Sequence, residues 1–420
     1  MAAWAVVAAG VAHAAAFPAR ALVSASSWDD PGFLRSFRAR GDPIPLAWKA
    51  WPRPGPVLGS VPGAVRARFV DGRIDCITLL FLDAGTYFGY VPRDKADEVR
   101  AAGEEDFRKR HAEVEAAVLA ALEKTAAGPA TTARIGRTNR MRQSVRVFPC
   151  GDLFARFQSV PAQLVKVTLF RTRGAAFSWM DPAVAAMATE GRTRARVAAV
   201  RTSTSGDRFL ADIPLMPQGD RAYCGVSALA MVLQTLGLNV DTEDLAAAAG
   251  IRFGSTAGSK IMETYFAAAT EGNFKFARAD TLDMARVQAT IDRGLPVIVW
   301  RRWSQERDYL HTQFARRLAA DPRAQLPPAD ADDRAAWPKD RNFNHASVVT
   351  GYNARRGEIL FTESWSESLR GRRMRTEEMA ATSHCVFYAR WREPDEPAPA
   401  PTIDGNAGPE QDRSFSPRRI

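Results

Sequence analysis

Three residues far apart in this chain could act together as a nucleophile, its base and the group that orients the base: Cys224, His345 and Glu363. Cys224 lies in "PLMPQGDRAYCGVSALAMVLQTLG", with Gln218 six positions before it. After it, apolar residues fall at Val226, Leu229, Ala230, Leu233 and Leu236, one face of an α-helix that Gly237 ends. This spacing puts Cys224 at the helix start. Unpaired backbone N–H groups and the helix dipole there favour a thiolate and lower the thiol pKa. A thiolate still needs a base, and the base needs a partner to hold it. His345 opens "HASVVTGYNARRGEILFTESW", which reads as a strand, a turn at Asn353 to Gly357 and a second strand. A histidine at the mouth of a hairpin can face a helix N-terminus across a cleft. Glu363, 18 residues on, ends the second strand and is the natural orienter of the imidazole. Of the other histidines, His13 falls in the leader, His111 and His311 in charged helical segments, and His384 before an apolar strand.

The elements that must position these groups divide the 420-residue chain. Residues 60–171 read as a first, smaller α+β unit. "VRARFVDGRIDCITLLFLD" alternates and then turns at Asp71-Gly72, a strong hairpin signal. A segment of strong helix formers follows, ending at Gly128. "SVRVFPCGDLFARFQSV" and "QLVKVTLFRTR" are further strands, so a helix covering an antiparallel sheet is expected. Residues 172–212 read as connecting structure, 213–392 as the unit that carries the chemistry, and 393–420 as a disordered Pro-rich tail. Cys76 and Cys150 lie in strands of the first unit. In an exported protein they could form a disulfide; in the cytosol they are packed thiols. Cys385 reads as a core thiol, Trp365 as packing over the His–acid pair, Asn344 as a turn residue, and Tyr223 and Gly225 as shaping the cleft.

At this level the second unit resembles a known family. "IPLMPQGDRAYCGVSALAMVLQTLG" is similar to the active-site helix of papain-fold cysteine peptidases, in the bacteriocin-processing, double-glycine-leader peptidase-like branch. "HASVVTGYNARRGEILFTESWSES" resembles that fold's His hairpin and the acid-bearing strand, and "IDRGLPVIVW" the helix and strand before it. The likeness covers 213–392. It implies a papain-like domain, its N-terminal helix packed on an antiparallel sheet, and thiol-dependent hydrolysis of a peptide or protein substrate through a Cys224 thioester. It further implies His345 as base, Glu363 as orienter and the Gln218 amide as oxyanion donor. Glu363 stands where the fold usually has Asn or Asp. "SQERDYLHTQFARRLAADPRAQLPPADADDRAAWPKDRNFN" is an insertion before His345 with the character of a lid, a cleft restriction or a partner-binding element. These departures motivate two alternatives: a catalytically degenerate scaffold that binds peptide or surface polymer, and acyl transfer to an amine. On the peptidase reading, the first unit would be a prodomain, an inhibitory module or a substrate-recruiting module.

Composition narrows the field. The net charge of +10 comes from scattered, mostly Arg, residues without a nucleic-acid motif, so no nucleic-acid partner is expected. Four cysteines without a CxxC pair and five dispersed histidines point to neither metal nor cofactor. The start, "MAAWAVVAAGVAHAAAFPAR", has a short apolar run and small-x-small patterns suited to signal peptidase. Residues 1–16 therefore read as a signal peptide of an exported, periplasmic or extracellular protein. No run is long enough to span a bilayer.

Overall fold

The computed structural model describes residues 19–36, 55–70, 72–91, 95–211, 213–219, 221–252, 260–321, 323–340, 343–365 and 371–392. The expected leader and Pro-rich tail lie outside the described residues. The first of two antiparallel sheets holds β1 (Ala64–Val70), β2 (Arg73–Asp83), β3 (Thr131–Ile135), β4 (Gln143–Cys150), β5 (Leu153–Val160) and β6 (Leu164–Phe170), in the order β1-β2-β6-β5-β4-β3. β1 and β2 form the expected hairpin, with Gly72 at positive φ in its turn. The helix Ala96–Thr125 buries Phe107, Val118 and Leu122 in one core cluster with Leu79, Phe148 and Val167. Each such side chain contributes roughly 1.5–3 kcal/mol on burial. Three elements were not anticipated. β3 has one buried residue, Ile135, too little alternation to signal a strand. The helices at Ala25–Trp28 and Pro31–Ser36 bring Trp28 and Phe33 into the same core, and Trp28 Nε1 donates to Leu22 O at 3.0 Å.

The first sheet also settles the cysteines. Cys76 is opposite Phe170, Phe170 opposite Phe154, and Phe154 opposite Pro149, the neighbour of Cys150. Three interstrand steps put the two cysteines about 14 Å apart, whereas a disulfide needs Cα atoms within about 7 Å. All four cysteines are free and buried. In denaturant without reductant, all four thiols should titrate; a count of two would contradict this register.

The second sheet holds β7 (Val200–Thr202), β8 (Arg208–Leu210), β9 (Phe274–Ala279), β10 (Val297–Arg302), β11 (Asn344–Asn353), β12 (Glu358–Thr362), β13 (Arg372–Arg375) and β14 (Ser383–Trp391). Its main path is β13-β12-β11-β10-β14-β9, and β8 pairs with β11 beyond the end of β10. The 172–212 segment is thus more than a connection. It forms three short helices and a hairpin whose second strand extends this sheet. The helix Cys224–Thr235 packs against β11, and every one of its residues is buried. It is covered by the sheet and by the helices Thr242–Ala248 and Lys260–Ala269, which suits a helix apolar over most of its surface.

The two units meet through buried charge. Lys166 Nζ on β6 reaches Asp241 at 3.0 Å and Asp244 at 2.5 Å, the two residues of the capping box that starts Thr242–Ala248. Arg66 on β1 makes a bidentate pair with Glu243 at 2.6 and 2.9 Å. Such pairs add little net stability over apolar packing, but breaking one strands a charge in low dielectric. They therefore fix how the first unit sits against the second.

Candidate active site

His345 and Glu363 meet because the β11–β12 ladder brings their strand ends together. Val348 pairs with Thr362, so one more step sets Glu363 across from Ser347, and His345 lies two residues along the same face. On the other side His345 pairs with Arg301 of β10, which puts a guanidinium on that face too. The contacts follow. His345 Nε2 and Glu363 Oε2 are 2.5 Å apart. Glu363 Oε1 accepts from Arg301 Nη2 at 2.6 Å and from Ser347 Oγ at 2.9 Å. Arg301 Nε also donates to Ser347 Oγ at 3.0 Å, and Arg372 Nη1 lies 3.8 Å from the carboxylate. Burial alone would push the Glu363 carboxyl up, but His345, Arg301 and Arg372 hold it far below the usual range.

Cys224 begins its helix as the sequence indicates, and its thiol interacts with the His345 imidazole. With Nε2 on Glu363, Nδ1 is the nitrogen left for sulfur. Burial pushes the Cys224 thiol up. The His345 hydrogen bond and charge, with the backbone N–H groups of Ala346 and Gly225, more than offset this and hold it below its ordinary 9.0. Burial pulls His345 down, but Glu363 and Cys224 raise it to about 9. The thiol is thus shifted toward its anion and the imidazole toward its cation. Gly225 permits the close fit: a Cβ there would come 2.7 Å from the Trp300 ring on β10. Trp365 lies against the imidazole, with ring centroids 4.2 Å apart, and Trp303 meets Trp365 edge-on at 5.4 Å. Trp365 thus packs over the His–acid pair as its position suggested.

Gln218 lies on the other side, in the loop before the helix. Its backbone N–H donates to Ser364 O at 2.6 Å, its Oε1 accepts from Ser364 Oγ at 2.6 Å, and its Nε2 donates to Arg221 O at 2.9 Å. Ser364 follows Glu363, so the loop of Gln218 is tied to the strand end that carries the acid. Tyr223, next to Cys224, abuts the first unit: a Cβ on Gly85 would come within 2.4 Å of the Tyr223 hydroxyl oxygen.

The insertion does something the sequence did not suggest. Its helix Gln305–Ala320 packs against β13, and Asp308 on it accepts from Arg301 Nη2 at 3.2 Å and Arg372 Nη1 at 2.5 Å. Arg307 and His311 of the same helix bind Glu378, Arg307 at 2.9 and 2.7 Å and His311 at 2.9 Å. One face of this helix is buried and backs Glu363 through Asp308 and the two arginines. Arg301, Ser347, Asp308 and Arg372 were missed as site residues. Two left a signal. Arg301 is a charge inside the apolar run "VIVWRR", which has to find a buried acid. Ser347 shares the strand face of His345 by the period of two. Asp308 left none, because nothing local shows which helix turn reaches the sheet. Among the described residues, no group of three or more His, Cys, Asp or Glu side chains is placed to hold a metal ion.

This geometry carries a family resemblance in one segment. Residues 210–393 match the model described as "Peptidase_C39 like family", so this segment is Peptidase_C39-like and has the papain-like cysteine peptidase fold, a helix packed on an antiparallel sheet. A solved structure, the peptidase domain of Streptococcus ComA, a bi-functional ABC transporter involved in a quorum sensing pathway, aligns with 43% of this chain and 99% of its own at 17% identity and a TM-score of 0.27. No curated protein is similar enough to match. Among the described residues, no helix is long and apolar enough to cross a membrane.

Proposed function

We propose that the second unit hydrolyses peptide bonds through a Cys224 thioester. The observation that carries this reading is that Cys224 interacts with His345 and His345 is hydrogen-bonded to Glu363, with the thiol lowered and the imidazole raised against the effect of burial. The Cys224 thiolate attacks the scissile carbonyl. The oxyanion takes hydrogen bonds from the Gln218 amide and the Cys224 backbone N–H, donors aimed at charge that develops only in the transition state. His345, as imidazolium, protonates the leaving amine, and the acyl group stays on sulfur as a thioester. The neutral imidazole then takes a proton from water, which attacks the thioester and regenerates the thiolate. Glu363 holds the ring and stabilises its cation throughout. The reading takes a peptide or protein as substrate, and the leader-like residues 1–16 support an exported protein.

The pH dependence tests it. Because the thiol is held below its ordinary value, the alkylation rate of Cys224 by iodoacetamide should rise and level off at lower pH than that of an ordinary thiol. Because acylation needs the imidazolium, hydrolysis should fall as pH rises through about 9, where His345 loses its proton. An alkylation rate that climbs through pH 8 to 9 like that of an ordinary thiol would sink the proposal.

A further inference from the structure

The loop that presents Gln218 is held from outside the peptidase-like segment. Arg221, three residues on, is buried, and its guanidinium donates from Nε to Gln218 O at 2.6 Å and from Nη2 to Pro217 O at 3.0 Å. Its own carbonyl accepts from Gln218 Nε2 at 2.9 Å. Arg221 thus grips Gln218 twice, once at the backbone and once at the amide. A buried guanidinium keeps its place only if its charge is met. Here Arg221 Nη1 donates to Glu243 Oε1 at 2.6 Å and lies 3.4 Å from Asp83 Oδ1. Glu243 is itself shared with Arg66 through the bidentate pair at 2.6 and 2.9 Å. Arg66 is on β1 and Asp83 ends β2, so both belong to the first sheet. Each link is buried.

We infer that the first unit is the positioning module of the oxyanion donor: Arg66, acting through Glu243 and Arg221, fixes the Gln218 amide. This rests on the reading of Gln218 given above and departs from a removable prodomain. Without Arg66, Glu243 loses two of its three short contacts and its carboxyl rises toward neutrality. Arg221 is then left with Asp83, 3.4 Å away, as its main counter-charge, and its grip on the carbonyls of Pro217 and Gln218 loosens. Cys224 is set by its helix, and His345 and Glu363 by β10, β11 and Arg301; Ser364 ties the Gln218 loop to that strand end, while the charges from the first unit reach the loop through Arg221.

The test compares two reactions of the same sulfur in the full chain. With an N-acetyl tripeptide aldehyde, the Cys224 thiolate adds to the carbonyl carbon, and the C=O π pair becomes an oxyanion that the donors hold or His345 protonates. With iodoacetamide, sulfur displaces iodide and no oxyanion forms. In Arg66→Met, the aldehyde should bind about 10- to 100-fold more weakly and kcat for a cleaved fluorogenic peptide should fall by a similar factor, the scale of losing one oxyanion donor or part of it. KM and the iodoacetamide rate should stay within about twofold, and Arg66→Lys should lie between Arg66→Met and the unsubstituted chain. Unchanged aldehyde affinity and kcat in Arg66→Met would overturn the inference alone. So would a parallel fall in both reactions, the mark of a general loss of fold. If Arg66→Met does not fold, Asp83→Asn takes its place: it should weaken the aldehyde more than it slows iodoacetamide, and equal effects would overturn the inference. An unsubstituted chain whose Cys224 takes up iodoacetamide but neither binds the aldehyde nor cleaves peptide overturns the proposed hydrolysis, and this inference with it.

Discussion

In Cys224→Ala, hydrolysis should drop to background, a loss on the order of 10⁵-fold or more, because the thioester cannot form and the remaining groups only bind. Labelling by a thiol-directed peptidyl electrophile should vanish in the same variant, although Cys76, Cys150 and Cys385 remain. Those three are buried, and burial pushes the Cys76 thiol up to about 12 and raises that of Cys150, so neither offers a competing thiolate near neutral pH. The fold should hardly notice: one sulfur is lost at a helix start, at a cost of about 1 kcal/mol. Denaturant melts of the variant and the parent separate the two effects. Labelling that survives the substitution removes Cys224 from the role of nucleophile.

Glu363→Gln should have the largest effect on stability together with a large effect on rate. The carboxylate is fully buried among Arg301, Arg372 and His345. Neutralising it leaves Arg301 with Asp308 alone and His345 with no counter-charge but the Cys224 thiolate. Removing one partner of a buried pair costs about 3–5 kcal/mol. The rate should fall by about three to four orders of magnitude, as when a histidine loses the acid that sets its tautomer and charge. The His345 proton would then be held against burial without its main support, so its pKa should drop well below about 9 and the thiolate be lost with it.

The sign of the pH dependence follows from the two shifts. Glu363 is depressed below 4.5, so its contribution to stability is complete above that value and is lost as pH falls. His345 is raised from 6.5, so its contribution is complete below 6.5 and is lost as pH rises through about 9. The stability gap between the parent and Glu363→Gln should therefore be widest between pH 4.5 and 6.5. It should narrow on both sides. A gap that is flat from pH 4 to 9 would contradict the ion-pair account.

Cys224, His345 and Glu363 could be singled out from sequence because each is at the edge of a strongly local pattern. The 3.6-residue period from Val226 to Leu236 shows where a helix begins, and an alternating run interrupted at Asn353 to Gly357 shows where two strands come side by side. The strands of the first unit were legible for the same reason, except β3, whose alternation is too weak. The segments at Ala25–Trp28 and Pro31–Ser36 were missed because short helices docked by Trp28 and Phe33 carry no periodic signal of their own.

Local pattern thus determined which side chains stand at the helix start and at the hairpin mouth, and that one segment resembles a papain-like peptidase. Tertiary structure decided what surrounds them. Asp308 reaches Arg301 only because the insertion helix packs on β13, and Arg66 reaches Glu243 only because the first sheet meets the helix Thr242–Ala248 through buried charge. It also decided that Cys76 and Cys150 stay apart, since strand order, not strand identity, sets their separation. The physical reason is common to these cases. A hydrogen bond within a turn or hairpin is encoded by neighbours a few residues apart, whereas a buried ion pair depends on which surfaces meet. That is settled by the packing of the whole chain.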